Sequence, residues 1–528
     1  MTSNPKVRWA PLPRTELLVY WLLSFGSHFY SFYELHRFSK EHEAGLDRQF
    51  QLETGLVQGF KRDASDFEWN FWTEWAHKSL LWTLTGHALL SRFCCIFYPQ
   101  FRVAALTVYG LLAAVGVLGL RGVGVLLLHV VLSFSVAQLR RSALCWACNL
   151  LLLCTLHVPP LQDIQRGWYE RDEEYYLLLF SVAVGTLRLL SFSLERCGRP
   201  AVHAGTFPQL CWLLSYTFYH PFFYNGPVIT YNDFVEQMQT PVEEGERHKP
   251  GARYLLLRSA RILMWWCMAE FMIHVTYMHA IQSNETYLEI LPAWALGGLA
   301  LALVQFFFVK YLVLFGLPST LATLDRLDPP GLPRCVSIMY SFTGMWRHFD
   351  KGLYRWLLRY IYVPLGGSHR GVPRKMFSTA LAFGFVCLWH GGHDYLRCWA
   401  LMNWLGVLVE TGLKALLDSA LLRSFFERHS SAAARRRLAA LLSAFSTAAL
   451  ILSNLIFLGG IHVGRIFWRR VFLQGLPNRA TSAWNRLICP PKSQPVVVSL
   501  DSAGSWPHRC RYPSTGFCRV PPFFFFFF

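Results

Sequence analysis

The chain has 528 residues, of which 53% are hydrophobic, 16% aromatic and 16% charged, with a formal net charge of +18. An ordinary soluble domain carries about a quarter charged residues, so the composition excludes a soluble globular protein and points to a membrane protein. The basic balance does not make it a nucleic-acid binder. Basic residues gather in connectors, at Arg140 and Arg141, at Arg370, Arg374 and Lys375, and at Arg435, Arg436 and Arg437, as positive-inside bias requires.

In chain order, apolar runs long enough to approach or cross a bilayer fall near 16–34, 79–98, 103–119, 122–138, 143–158, 174–194, 208–230, 258–281, 290–316, 376–390, 396–417 and 438–461. They lack the alternation of a barrel, and only helices or closed barrels satisfy backbone hydrogen bonds in lipid, so an all-α polytopic fold is expected, with some runs re-entrant. Lys6, Arg8 and Arg14 precede the first run without a small-residue cleavage site, which reads as a retained signal anchor. Between 36 and 78, the cluster Trp69, Phe71, Trp72 and Trp75 suits a segment at the membrane interface. Fourteen cysteines are scattered, many inside apolar runs, which argues against a disulfide framework. Cys145 and Cys148 match C-x-x-C, a weak redox signal on a membrane helix. Asn284-Glu285-Thr286 is a glycosylation sequon in a short connector, used or unused according to its side of the membrane.

The segment 317–375 is polar but patterned. Met345, Phe349, Leu353, Trp356 and Tyr360 recur at helical spacing, with Arg347, Asp350, Lys351, Arg355 and Arg359 on other faces, and Pro364, Gly366 and Gly367 end the pattern. One helix, half immersed or lining a wet cavity, is expected. Residues 1–477 form the multi-span core, and 478–528, rich in Pro and Ser and closing on six Phe, read as an unstructured tail.

His390, in "FGFVCLWHGGHDYL", follows a run with no charged residue since Lys375. An ionisable group at membrane depth is a functional candidate; the plain alternative is a helix-end histidine bonded to a backbone carbonyl. Gly391 and Gly392 would let a backbone or an acyl chain approach it, and His393 and Asp394 read as loop. Asp350 either pairs locally with Lys351 or Arg347 or orients a reactive group. Asn454 and Asn403, amides in apolar helices, are packing hydrogen bonds or ligand contacts. Trp346 and Arg347 are acyl-CoA contacts or interfacial anchors.

The blocks "FTGMWRHFDKGLYRWLLRYIYVPLGGS" and "FVCLWHGGHDYLRCWALMNWLG" resemble the two signatures of the membrane-bound O-acyltransferase family. The stretches "SFGSHFYSFYE", "DFEWNFWTEW", "YHPFFYNGPVI", "LGGLALALVQFFFVKYLVLFGLP" and "ILSNLIFLGG" are similar to the branch of that family that palmitoylates secreted hedgehog proteins. The resemblance implies a fold with re-entrant segments around a central tunnel. It also implies palmitoyl-CoA as donor, the N-terminal cysteine amine of a hedgehog-type protein as acceptor, an endoplasmic reticulum membrane location and a monomer. It further implies His390 and Asp350 as the reaction centre, Arg347 and Asn454 as acyl-CoA contacts, and Cys335 as the thiolate that holds a haem b. A neutral imidazole in apolar surroundings can take the proton from an attacking amine. Two other classes stay open at this point: an acyltransferase of the same fold acting on a lipid hydroxyl or another secreted peptide, and a transporter with a His/Asp proton relay.

Overall fold

A computed structural model describes residues 12–56, 58–198, 205–239, 251–367 and 371–473. The tail expected over 478–528 lies outside the described residues. Among them, six helices are long and apolar enough to cross a membrane, or seven counting Ser142–His157 with Pro159–Arg166, which meet at a 66° bend. The chain is a multi-pass membrane protein.

Helix α1 (Arg14–Glu41) turns an apolar face outward, with Trp21, Leu22, Leu23 and Phe29 all more than half exposed, as a lipid-facing anchor would. Helix α2 (Phe67–Trp75) runs through a short π-helical turn into α3 (Leu81–Phe97), so that 67–97 forms one path. Two members of the aromatic cluster on α2 are buried within the protein. Trp69 and Trp72 are 1% and 3% exposed, and the Trp69 indole donates to Glu270 Oε1 at 2.8 Å. The runs expected over 103–119 and 122–138 form two helical segments within α4 (Arg102–Ala137), which meet at a kink at Gly119, where φ is +70°. A positive φ suits only a residue without Cβ.

Helices α5 (Ser142–Cys154) and α6 (Asp172–Gly198) pack on α4 and on each other. Cys145 approaches Cys197 of α6 rather than Cys148, with the sulfurs 3.6 Å apart. The run expected over 208–230 does not span. It forms a helix over Thr206–Thr217 and a four-residue helix over His220–Phe223. Pro221 near the start of the second helix lacks the N–H that a continuing helix would use.

Helix α7 (Ala252–Val275) and α1 both pack on α8 (Ala293–Leu324), the central column, 78% of whose most apolar window is buried. A helix apolar all round is stable only when surrounded. The segment after α8 holds α9 (Phe342–His348) and α10 (Lys351–Leu357). The single helix expected there is therefore two, because Phe349 and Asp350 leave the helical path. A Cβ at Gly352 would collide with the Val228 carbonyl, so a glycine is needed where α10 crosses that strand of backbone. Helices α11 (Gly371–Trp389), α12 (Asp394–Leu417) and α13 (Ala432–Trp468) close the bundle, with α12 on both α11 and α13. His393 precedes α12, and Asp394, expected in a loop, is its first residue.

Asn284 is the N-cap of the helix Glu285–Ile290. Its Oδ1 accepts from the Thr286 and Tyr287 amides, and its Nδ2 donates to Gln49 Oε1 at 2.6 Å.

Candidate active site

His390 ends α11. The amide of Gly391 bonds to the Leu388 carbonyl and that of Gly392 to the Cys387 carbonyl, both at 2.9 Å, and φ is +110° and +66° at the two glycines. This is the paired bonding of a Schellman stop, which needs a left-handed residue just past the helix. The glycines terminate the helix and fix the position of His390, and a Cβ at Gly392 would meet nothing within 4 Å.

The imidazole is 1% exposed and ringed by aromatic side chains from three helices. Its centroid lies 4.9 Å from Trp389, 5.6 Å from Phe457 of α13 and 6.4 Å from Trp399 of α12. Trp389 is tied to α6 by its indole, which donates to the Ala183 carbonyl at 2.9 Å. His390 therefore sits where four helices meet.

Asp350 neither pairs with Lys351, whose ammonium donates to the Leu332 carbonyl, nor bridges to Arg347. It is the N-cap of α10, accepting from the Leu353 amide at 2.8 Å, the ordinary work of Asp at a helix start. Burial pushes its carboxyl up to about 6 against the pull of the Leu353 and Gly352 amides. Its neighbour Phe349 stacks on Phe307 of α8 at 5.4 Å, and Phe307 meets Phe457 at 6.2 Å. An aromatic chain thus links the α10 cap to the histidine.

Trp346 and Arg347 line a cavity of about 390 Å³ together with Tyr354, Lys375, Phe383 and Thr411. The Trp346 ring lies 4.6 Å from Phe383 and 5.6 Å from Trp399, so it stands between this cavity and the rings around His390. Asn403 is 2% exposed. Its Oδ1 accepts from the Trp346 indole at 3.0 Å and its Nδ2 donates to the Trp399 carbonyl, so it props Trp346. Asn454 is half-buried on α13, one turn before Phe457. Cys335 is half-buried on the irregular stretch after α8, near exposed Ile338 and Tyr340, a thiol beside an apolar surface on which a flat macrocycle could rest.

A second cavity, of about 150 Å³, lies on the other side of Phe307 and is polar, lined by Asp66, Glu68, His279, Gln282 and Lys310. Lys310 of α8 is 1% exposed and stands 2.9 Å from Asp66 Oδ2 and from Glu68 Oε2. Burial alone would raise the Asp66 carboxyl, but Lys310 and His279 hold it below the usual range. Burial lowers His279. Sequence reasoning missed this group, although a lone lysine in "VQFFFVKYLVLFG" is the kind of intramembrane charge that signals one. It also missed Glu410 of α12, whose carboxylate accepts from the Phe342 and Thr343 amides at 2.6 and 3.1 Å and so anchors the start of α9.

From the buried imidazole, Trp399 and Trp346 lead to the cavity that holds Arg347 and Lys375, and Phe457 and Phe307 lead to the one where Lys310 pairs with Asp66 and Glu68. Residues 131–452 match the membrane-bound O-acyltransferase family, and the chain belongs to that family. It is 47% identical to the protein-cysteine N-palmitoyltransferase HHAT of Mus musculus, over 90% of this chain and 97% of that protein. It is 33% identical to the mouse HHAT-like protein over 79% of this chain and 82% of that one. To the Drosophila melanogaster protein-cysteine N-palmitoyltransferase Rasp it is 30% identical, over 58% and 60% of the two chains.

Proposed function

We propose that the chain transfers a palmitoyl group from palmitoyl-CoA to the N-terminal cysteine amine of a secreted hedgehog-type protein, in the endoplasmic reticulum membrane and as a monomer, with His390 as the general base. The observation that carries this reading is the burial of His390 among rings that reach Trp346 at the larger cavity and Phe307 at the smaller one. The names of the mouse and fly palmitoyltransferases support the choice of donor and acceptor.

On this reading Arg347 and Lys375 draw the anionic CoA into the larger cavity, Trp346 and Asn454 guide the acyl chain, and the smaller polar cavity receives the peptide terminus. An ammonium has no lone pair with which to attack. The ammonium first gives one proton to water; the neutral amine then adds to the thioester carbon, the imidazole takes a second proton from that nitrogen, and the tetrahedral intermediate expels the CoA thiolate. The imidazolium then returns the proton to that sulfur, leaving an amide and a free thiol. General-base help of this kind contributes about 10²–10⁴-fold, and holding the amine against the thioester supplies the remainder. Asp350 acts through the α10 cap, which sets Phe349 and the aromatic chain behind His390. Cys335 would hold a haem b by its thiolate. That group would be structural, and no step of the transfer uses it.

The deciding experiment incubates the purified chain with labelled palmitoyl-CoA and a short peptide that begins with Cys. Label that enters the peptide, resists neutral hydroxylamine and disappears when the amine is acetylated is the expected result. Label released by hydroxylamine, or label entering lipid alcohols in preference to the peptide, overturns the reading.

A further inference from the structure

A third cavity takes no part in this chemistry. It measures about 500 Å³, within the roughly 300–1,000 Å³ of small-molecule sites, and is walled by α2, α3, α7, α8 and the short helix at His220. Leu81 and Leu263, both in its lining, are 42% and 60% exposed, so its mouth faces outward between α3 and α7. The walls are apolar and include Trp69, Trp72, Trp266 and Tyr224, and no Asp, Glu, Lys or Arg lines them.

Thr73, His77, Ser259 and Thr320 also line it, and two further polar side chains there have buried nitrogens without partners among the described residues. His220 is 2% exposed and neither of its ring nitrogens has a hydrogen-bond partner among the described residues; Asn225 is 8% exposed and its Nδ2 has none. The Trp72 indole nitrogen, on another wall, is in the same state. Buried polar groups left without partners are costly and are usually satisfied by water or a ligand. Both His220 and Asn225 belong to the stretch "YHPFFYNGPVI", to which the acyl-transfer reading assigns nothing.

We propose that this cavity binds one sterol molecule, held by its hydroxyl on His220 and Asn225. A neutral imidazole offers one donor and one acceptor, and a primary amide N–H donates, so together they match a hydroxyl that both gives and takes a hydrogen bond. Burial, followed by His87, pushes His220 down to about 3, and it therefore stays neutral. With no formal cation in the lining, a phosphate or carboxylate head would be left unbalanced. The wide aromatic walls suit a flat, rigid ring system better than two flexible tails. The site shares Trp69 and Trp72 with α2, the helix that carries Glu68, so its occupant braces the element behind the polar cavity.

The full chain in nanodiscs, labelled with a photoreactive cholesterol analogue, tests this. Saturable labelling is expected on peptides from 69–84, 255–266 or 313–324, competed by excess cholesterol and not by palmitic acid or diacylglycerol. Ser259→Trp, at an exposed position in the lining, should abolish labelling by filling the mouth. His220→Leu should weaken it by about three- to tenfold, the value of one hydrogen bond. Labelling that does not saturate, maps elsewhere, survives Ser259→Trp or is competed equally by palmitic acid or diacylglycerol overturns the proposal.

Discussion

The ring of His390 meets that of Phe457 edge to face, with centroids 5.6 Å apart and planes at 81°. Phe457 in turn lies 5.1 Å from Trp399 and 6.2 Å from Phe307, so α8, α12 and α13 hold the imidazole in common. Its surroundings keep their own packing when it is removed. His390→Ala should lower the rate of acyl transfer by about 10²–10⁴-fold, the value of a general base, while the variant elutes as a single folded species in detergent. Near-normal turnover would remove His390 from the chemistry.

Asp350 separates charge from capping. Asn caps a helix about as well as Asp, whereas Ala loses roughly 1 kcal/mol. Near pH 4 Asp350→Asn should therefore match the melting temperature of the native chain and Asp350→Ala should not. The pH dependence has a definite sign. The folded carboxyl, raised to about 6 from 3.8, holds a proton that the unfolded chain has already lost. Its contribution to stability thus falls as pH rises from 3.8 toward 6, and then levels off. Melting curves between pH 4 and 7.5 should show this fall in the native chain and not in Asp350→Asn; equal slopes would show that the group is not raised.

Lys310 balances Asp66 and Glu68 inside the bundle. Lys310→Met strands two buried carboxylates, and breaking a buried pair in this way costs about 3–5 kcal/mol. The double variant Lys310→Met with Glu68→Gln should recover much of the loss, because it removes one of the stranded charges. Thermal stability in detergent reads both. A single variant as stable as the native chain would mean that water, not Lys310, neutralises the acids.

At Asn284, the nitrogen that would carry a glycan already donates to Gln49, and its oxygen caps the next helix. Glycosidase treatment of protein made in mammalian cells should leave its mobility unchanged. Asn284→Ala should destabilise by about 1 kcal/mol through the lost cap. A band that shifts with glycosidase would refute the first statement.

The final six Phe and the Pro-rich stretch before them lie outside the described residues, and a tail of the kind expected from their composition should be dispensable. A chain ending at residue 477 should retain palmitoyl transfer; loss of activity on truncation would show that 478–528 are needed.

Hydropathy is a local property, and its consequences were legible in the sequence. Lipid solvates one run of residues at a time, so the membrane class, the helical fold and most segment positions can be read from composition along the chain. The glycine at 119 falls at the boundary between the two runs expected there. His390 stood out for the same reason, as an ionisable group ending an apolar run. Partners distant in the chain are a different matter. The period from Met345 to Tyr360 reads as one helix because side-chain spacing carries no record of where the backbone turns. Asp350 breaks that helix by capping its second half, while Gly352 meets Val228 across the fold. Trp69 and Trp72 have the composition of an interface but are buried by α7 and α8, and the aromatic rings cannot distinguish the two settings until their neighbours are in place. Lys310 with Asp66 and Glu68, Trp346 with Asn403, and His220 with Asn225 around an apolar cavity were likewise decided by packing alone. A charge or an amide can be read from the sequence, but its partner is chosen by which helices pack together.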